Sequence, residues 1–428
     1  MSRAALPLAG ASAEPLRTVD PIPLAVYHFG VAILYLVAGA VGVVVVAPEL
    51  AAGLYTAPRV AGVTHLFTLG WLTTTIFGVL QQILPMALGA QARFPVSNRL
   101  ALAALAPGAG LFAIGVAISV PALHHVGIAL VTVGVLLALA NVGLALPRAR
   151  ARDTTWAAIA LAAAFLFSTL VLGVVLLHNL HTGFLALARL RILAVHLHLA
   201  LVGWALVMIV GVSHRMLPGF LQARGVSTRW TAWSLACLAS GVVALAGGLL
   251  GRIPVVTWTG VILLESGLAC FIIYALGCYR ARAKPVLDVG LRFAGVALTL
   301  LATGACLGPA LLLSGSAAPR LAITYVLSLL MGIVLYVVGF FYRIAPQLVW
   351  TARYRRANGR VALPPLKSLL SPRLATLQLA SMSLGATLLL IGIAIGAVAV
   401  TRGGAVLLLI GVLAFLSQII HVAFGGRS

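Results

Sequence analysis

Twelve apolar runs divide this chain almost from end to end, at about 23–47, 60–85, 99–120, 125–146, 155–177, 193–217, 229–251, 254–278, 289–314, 321–347, 374–399 and 403–424. Each is long enough to cross a hydrocarbon core, which takes about 20 apolar residues of helix. Composition excludes an ordinary soluble enzyme: 62% of the 428 residues are hydrophobic and only 8% are charged, where soluble domains run nearer half apolar and a quarter charged. The expected fold is an all-α membrane protein. A tail over 1–22 precedes a single twelve-helix transmembrane domain over 23–428. The tail is mostly polar or small residues without an apolar h-region, so it does not read as a cleavable signal peptide.

The net charge of +22 comes from 28 Lys+Arg against 6 Asp+Glu. The bases are scattered through the loops, not gathered on one soluble face, so a nucleic-acid partner is excluded and anionic lipid headgroups are the natural one. Their distribution sets orientation. Loops after even-numbered spans hold Arg93, Arg99, Arg148, Arg150, Arg152, Arg224, Arg229, Arg280, Arg282, Lys284, Arg292, Arg353, Arg355, Arg356, Arg360, Lys367 and Arg373. Those after odd-numbered spans hold only Arg59, Arg189, Arg191, Arg252, Arg320 and Arg402. Both termini are therefore expected in the cytoplasm, in a bacterial inner membrane. Cys237, Cys270, Cys278 and Cys306 fall in or at the ends of apolar runs without CxxC spacing, and read as buried small apolar residues.

Three even-numbered spans align with one another. Span 2 reads His65, Gly70, Trp71, Gly78, Gln81, Gln82, Pro85; span 6 reads His198, Gly203, Trp204, Gly211, His214, Arg215, Pro218; span 10 reads Val326, Gly332, Gly339, Tyr342, Arg343, Pro346. From the first position of each, glycine recurs 13 places on and proline 20 places on. Small residues recur at helix contacts in any packed bundle, but this spacing predicts three four-helix units, about 23–150, 151–284 and 285–428, around a pseudo-threefold axis.

The histidines gather on one side. His65, His196 and His198 lie in the outer halves of spans 2 and 6, His124 and His125 at an outer loop, and His178 and His181 in or beside the outer loop after span 5. Imidazole is costly in lipid unless paired or ligating. His65 and His198 share one repeat position, and a planar macrocycle between their helices can take one axial nitrogen from each, as b-type haem is held. The alternative is that both bond backbone carbonyls or waters. His196 and His198 point about 200° apart, so only one of them meets His65. Which one is open.

These residues resemble a known family. His196-Leu197-His198 with Gly211 and Pro218 is similar to the haem-ligand helix of haem-copper oxidase subunit I, in which two such histidines bind two different haems. His65 resembles that family's other low-spin haem ligand. Span 10 resembles the ligand helix too, with Thr324 and Val326 where histidines would stand. The resemblance implies a twelve-helix threefold plan and haem b. It also implies a copper site of three histidines, one on span 6 and a pair near span 7. Span 7 has no histidine and His124-His125 follow span 3. Copper and a proton-pumping terminal oxidase are therefore not expected, and the chain looks more like the divergent, NnrS-like branch linked to nitric oxide stress.

The cofactor-binding set expected is His65, His196 and His198 on the metal, with Arg59, Arg189 and Arg191 on the correct side for haem propionates. Glu265, the acid midway along span 8, has three readings: a proton relay, a salt bridge with Arg215 or Arg343, or a protonated structural group. Gln81, His214 and Tyr342 form a candidate polar ring toward the cytoplasm, beside arginines that snorkel to the interface. The functions in play are electron transfer with a redox partner protein, gas binding or nitric oxide defence. Against them stand a cofactor-free transporter or channel and a non-catalytic anchor subunit of a respiratory complex.

Overall fold

The computed structural model describes residues 24–90, 94–283, 285–314, 318–354 and 366–424. The expected tail over 1–22 and Arg93, Lys284, Arg355, Arg356 and Arg360 lie outside them. Among the described residues, twelve helices are long and apolar enough to cross a membrane: Leu24–Val45, Pro58–Leu88, Pro95–Ala117, Pro121–Arg148, Thr154–Thr182, Ala186–Leu221, Arg229–Gly251, Pro254–Arg280, Val289–Ser314, Pro319–Thr351, Pro372–Ile395 and Val398–Phe424. These are spans 1 to 12, one for each apolar run. Loops after odd-numbered spans lie at one end of the bundle, here the odd end; loops after even-numbered spans lie at the even end.

Spans 2, 6 and 10 are the most buried and form the centre. Trp204 Nε1 of span 6 donates to Thr73 Oγ1 of span 2 at 3.2 Å, and Ser213 and Tyr336 join hydroxyls at 2.7 Å between spans 6 and 10. Trp71 stacks on Phe341 of span 10 and meets Phe415 of span 12 edge-on. The recurrent glycines have a common task. A Cβ on Gly78 would come to 2.8 Å from His28 and Phe29 of span 1, on Gly211 to 2.2 Å from Ala158 of span 5, and on Gly339 to 2.6 Å from Gly290 O of span 9. In each case the even span lies directly on the odd span before it.

Spans 3–4, 7–8 and 11–12 form three hairpins, and these repeat a glycine spacing of their own. Gly108, Gly115, Gly127, Gly134 recur as Gly241, Gly248, Gly260, Gly267 and as Gly385, Gly392, Gly404, Gly411, with steps of 7, 12 and 7 in every copy. A Cβ on Gly115, Gly248 or Gly392 would stand 2.4 Å from the backbone nitrogen of His124, Thr257 or Thr401 respectively. Only glycine lets the two backbones approach this closely. Span 1 packs on span 12, so the layer of helices closes on itself.

Spans 2 and 6 widen into π-helix over Leu66–Thr73 and Leu199–Leu206, directly after His65 and His198. Thr73 and Thr74 return hydroxyls to the carbonyls of Thr68 and Leu69, five residues back, which satisfies acceptors that the widened turn displaces. Span 10 stays α-helical throughout. Cys278 is buried as expected, but Cys237 and Cys270 are half-buried and Cys306 is exposed, so the expectation of four buried cysteines fails. On an apolar outer face a thiol lies as readily as an alanine does.

Candidate histidine sites

At the odd end, spans 5, 6 and 10 decide what each histidine does. His65 Nδ1 lies 2.8 Å from Ala61 O, and His198 Nδ1 lies 2.7 Å from Ala194 O, each four residues back in its own helix. His196 Nδ1 reaches span 5 and lies 3.1 Å from Thr169 O, with its ring against Gly173. A carbonyl only accepts, so in all three rings Nδ1 carries the proton and Nε2 keeps its lone pair. His198 Nε2 uses that lone pair, accepting from the Tyr325 hydroxyl of span 10 at 2.8 Å. Among the described residues, Nε2 of His65 and Nε2 of His196 have no polar partner.

His65 and His196 also face one space. Both line a small cavity of about 60 Å³ with Thr68, Phe112, Leu166 and Trp204. Phe112 meets the His65 ring edge-on at 4.9 Å. His65, Thr68, His196, Ala200 and Leu201 are also wall to a larger cavity of about 620 Å³, which runs on past His198, Glu265 and Tyr325. His198 borders only the larger one. The two repeat-matched histidines of the sequence are thus not the pair that shares the small cavity. The neighbour of His198 in sequence takes that place.

Of the three arginines expected near propionates, Arg191 lines the large cavity. Arg59 is instead in an ion pair with Glu49 at 2.9 Å, and neither it nor Arg189 is in the cavity wall. Glu265 lines the cavity from span 8 with no hydrogen bond or ion pair among the described residues. The salt bridges considered for it are not made. Arg215 pairs with Asp153 at 2.5 Å and Arg343 pairs with Asp288, both at the even end, a long way along the helices from Glu265. Each of these acids sits in a loop before an odd span, outside the apolar runs; Asp153 also caps span 5 by accepting from Thr155 N and Trp156 N.

Gln81, His214 and Tyr342 do not form a ring with one another. Each turns outward to the next span: Gln81 accepts from Asn98 at 2.9 Å, His214 meets Thr231 Oγ1 at 2.7 Å, and Tyr342 donates to Gln378 at 2.5 Å. At the centre, packed apolar side chains leave these groups no partner except toward the flank.

A second histidine group stands at the odd end. His124 and His125 are not in a loop but on the first turn of span 4, and His181 is on the last turn of span 5. Their ligand nitrogens all lie within 4.8 Å of one another, with His124 Nε2 3.0 Å from His181 Nε2. Three imidazoles so placed can hold a metal ion. His124 is buried; the other two are exposed. Sequence reading missed the set because 56 residues separate His125 from His181 and only the packing of span 5 beside span 4 unites them. No protein-family model and no curated protein matches this chain.

Proposed function

We propose that this chain is a haem-b-holding membrane protein of the oxidase-like plan, of the NnrS-like kind, in which His65 and His196 would hold the haem and electron transfer would be its task. The observation that carries the reading is the pair of unpartnered Nε2 atoms on two central helices, facing one cavity, with each opposite Nδ1 fixed on a carbonyl. That second bond sets the tautomer and orients the ring, as it does for metal-ligating histidine generally. The residues fit the group in further respects. The larger cavity falls in the range of about 300–1,000 Å³ typical of cofactor pockets, its walls are mostly apolar, and Arg191 supplies a cation for a propionate.

When bound, the haem supplies one-electron chemistry, its potential set by axial ligands and burial. With His65 and His196 both holding the group, electron transfer would be favoured over gas binding. His198 faces span 10, where its Nε2 accepts from Tyr325. Glu265 faces the same cavity and can take or release a proton at its carboxylate there. The wider plan is three units about a pseudo-threefold axis, supported by the recurring glycine hairpins and by the like contacts of Gly78, Gly211 and Gly339. Both termini belong in the cytoplasm and the histidine end faces outward, supported by the bias of Lys and Arg to the even end.

A reduced-minus-oxidised spectrum of the purified chain tests the reading. We expect a bis-imidazole b-type signal, lost in His65→Ala and His196→Ala and kept in His198→Ala. A second reading has one observation in its favour: an unpaired carboxylate in a cavity of this size suits a transporter that binds a small cation at Glu265. A chain without haem whose ligand binding is lost in Glu265→Gln would favour it.

A further inference from the structure

The group His124, His125 and His181 lies outside the cavity just described and has no part in the haem reading. We infer that it is a zinc site: a borderline divalent ion held by three imidazoles at the odd end, with its remaining coordination position open to solvent.

The hairpins supply the first argument. His124 occupies a point of close approach between spans 3 and 4, where Gly115 faces its backbone nitrogen. The same point in the other two hairpins holds Thr257 and Thr401, and each of those simply returns its hydroxyl to its own helix, at Ile253 O and Ala397 O. Packing at this crossing is therefore met by a small hydroxyl. The 3–4 hairpin carries an imidazole instead, follows it with a second, and receives a third from the helix alongside.

The second argument is geometric. Zinc binds imidazole at about 2.0–2.1 Å in a tetrahedral arrangement, which places ligand nitrogens about 3.3–3.4 Å apart. The separation of 3.0 Å between His124 and His181, and the limit of 4.8 Å on all three, enclose that value. His125 and His181 rings already stack at 4.9 Å between centroids, so the rotation needed to converge is small.

The third argument concerns support. His124 Nδ1 lies 3.4 Å from Gly115 O, which leaves Nε2 to point at its partners. Beneath the group, Leu177 of span 5 packs with Phe112 and Val116 of span 3 in a small core of its own. Leu177 is one turn before His181, so that core fixes the height of span 5 against the hairpin. Imidazole nitrogens suit zinc and its neighbours and do not suit magnesium or calcium, which take oxygen.

The test uses the full chain in detergent, its purification tag removed and its metals stripped with a chelator, titrated with Zn²⁺ against a chromophoric competitor. We expect one equivalent per chain, unaffected by excess Mg²⁺. His181→Ala and His125→Ala should weaken binding by at least about tenfold. His124→Thr should do the same, and because threonine is what the other two hairpins carry there, it keeps the fold. His178→Ala, at the same end with its ring on Phe184, should bind as the parent does. The inference is overturned if Zn²⁺ does not bind at one equivalent, or if it binds His124→Thr and His181→Ala as tightly as the parent. The haem spectrum of His124→Thr should match the parent, so this result and the haem result stand apart.

Discussion

Spans 2 and 6 and span 10 share a frame and differ in chemistry. All three put glycine 13 and proline 20 places after the same position, and all three lay that glycine against the preceding odd span. Yet spans 2 and 6 carry histidine ahead of a π-helical segment, while span 10 carries Val326 and a continuous α-helix. The glycine contacts are a packing requirement that any unit of this kind must meet. The histidine and the widened turn are not, and π-segments often mark functional sites. A repeat of this sort separates what packing demands from what has been added to it.

The largest effect expected is therefore confined to the two altered spans. His65→Ala or His196→Ala should abolish bis-imidazole absorption completely, with the protein still monodisperse by size exclusion. Val326→Ala at the matching place on span 10 should leave the spectrum untouched. Equal loss from all three would mean that the variants disturb a common packing and not an iron site.

The frame should break alike in both kinds of span. Gly211→Leu drives a side chain into Ala158, and Gly339→Leu drives one into the Gly290 carbonyl. Overpacking typically costs about 1–3 kcal/mol and sometimes more, so both should lower the melting temperature in detergent by similar amounts. A large drop for Gly211→Leu with none for Gly339→Leu would show that span 10 does not share the frame.

How much of this was legible follows from range. Twelve spans came directly from apolar runs, since lipid imposes length on each helix without reference to its neighbours. The glycine and proline spacing of spans 2, 6 and 10 was visible for the same local reason. The hairpin glycines were equally present in the sequence, but their steps of 7, 12 and 7 gain meaning only when two helices are known to cross. The π-segments have one signal in the sequence: Gly70-Trp71 and Gly203-Trp204 recur, where the matching places on span 10 hold Met331-Gly332. A buried indole at a crowded centre asks for a wider turn. That His196 and not His198 shares the small cavity with His65 was not legible at all. It depends on Thr169 and Tyr325, which belong to other spans.

A smaller effect is expected at the even end. Asp153 holds Arg215 on span 6 and Asp288 holds Arg343 on span 10, one pair on a histidine-bearing central span and one on the span without it. Both acids are partly exposed, so each pair is worth no more than about 1 kcal/mol. Asparagine keeps the capping capacity, so Asp153→Asn and Asp288→Asn isolate the charge. Melting temperatures should fall slightly and equally, and the difference from the parent should shrink in high salt.

The smallest change asks why His198 is silent. Tyr325 donates to its Nε2, and a hydrogen bond of this kind contributes about 0.5–1.5 kcal/mol net, so Tyr325→Phe should hardly alter stability. It does leave His198 with a free Nε2, the condition on which His65 and His196 are proposed as ligands. Two causes can keep His198 off the metal: the tether to Tyr325, or its direction, since residues two apart on a helix point about 200° from each other. The double variant Tyr325→Phe with His196→Ala separates them. If the tether alone excludes His198, the bis-imidazole spectrum lost in His196→Ala returns. We expect that it does not return, because His196 faces span 5 through Thr169 whereas His198 faces span 10. Span 10 would then shape the site of spans 2 and 6 only at its edge, through a hydroxyl that holds a third imidazole in place.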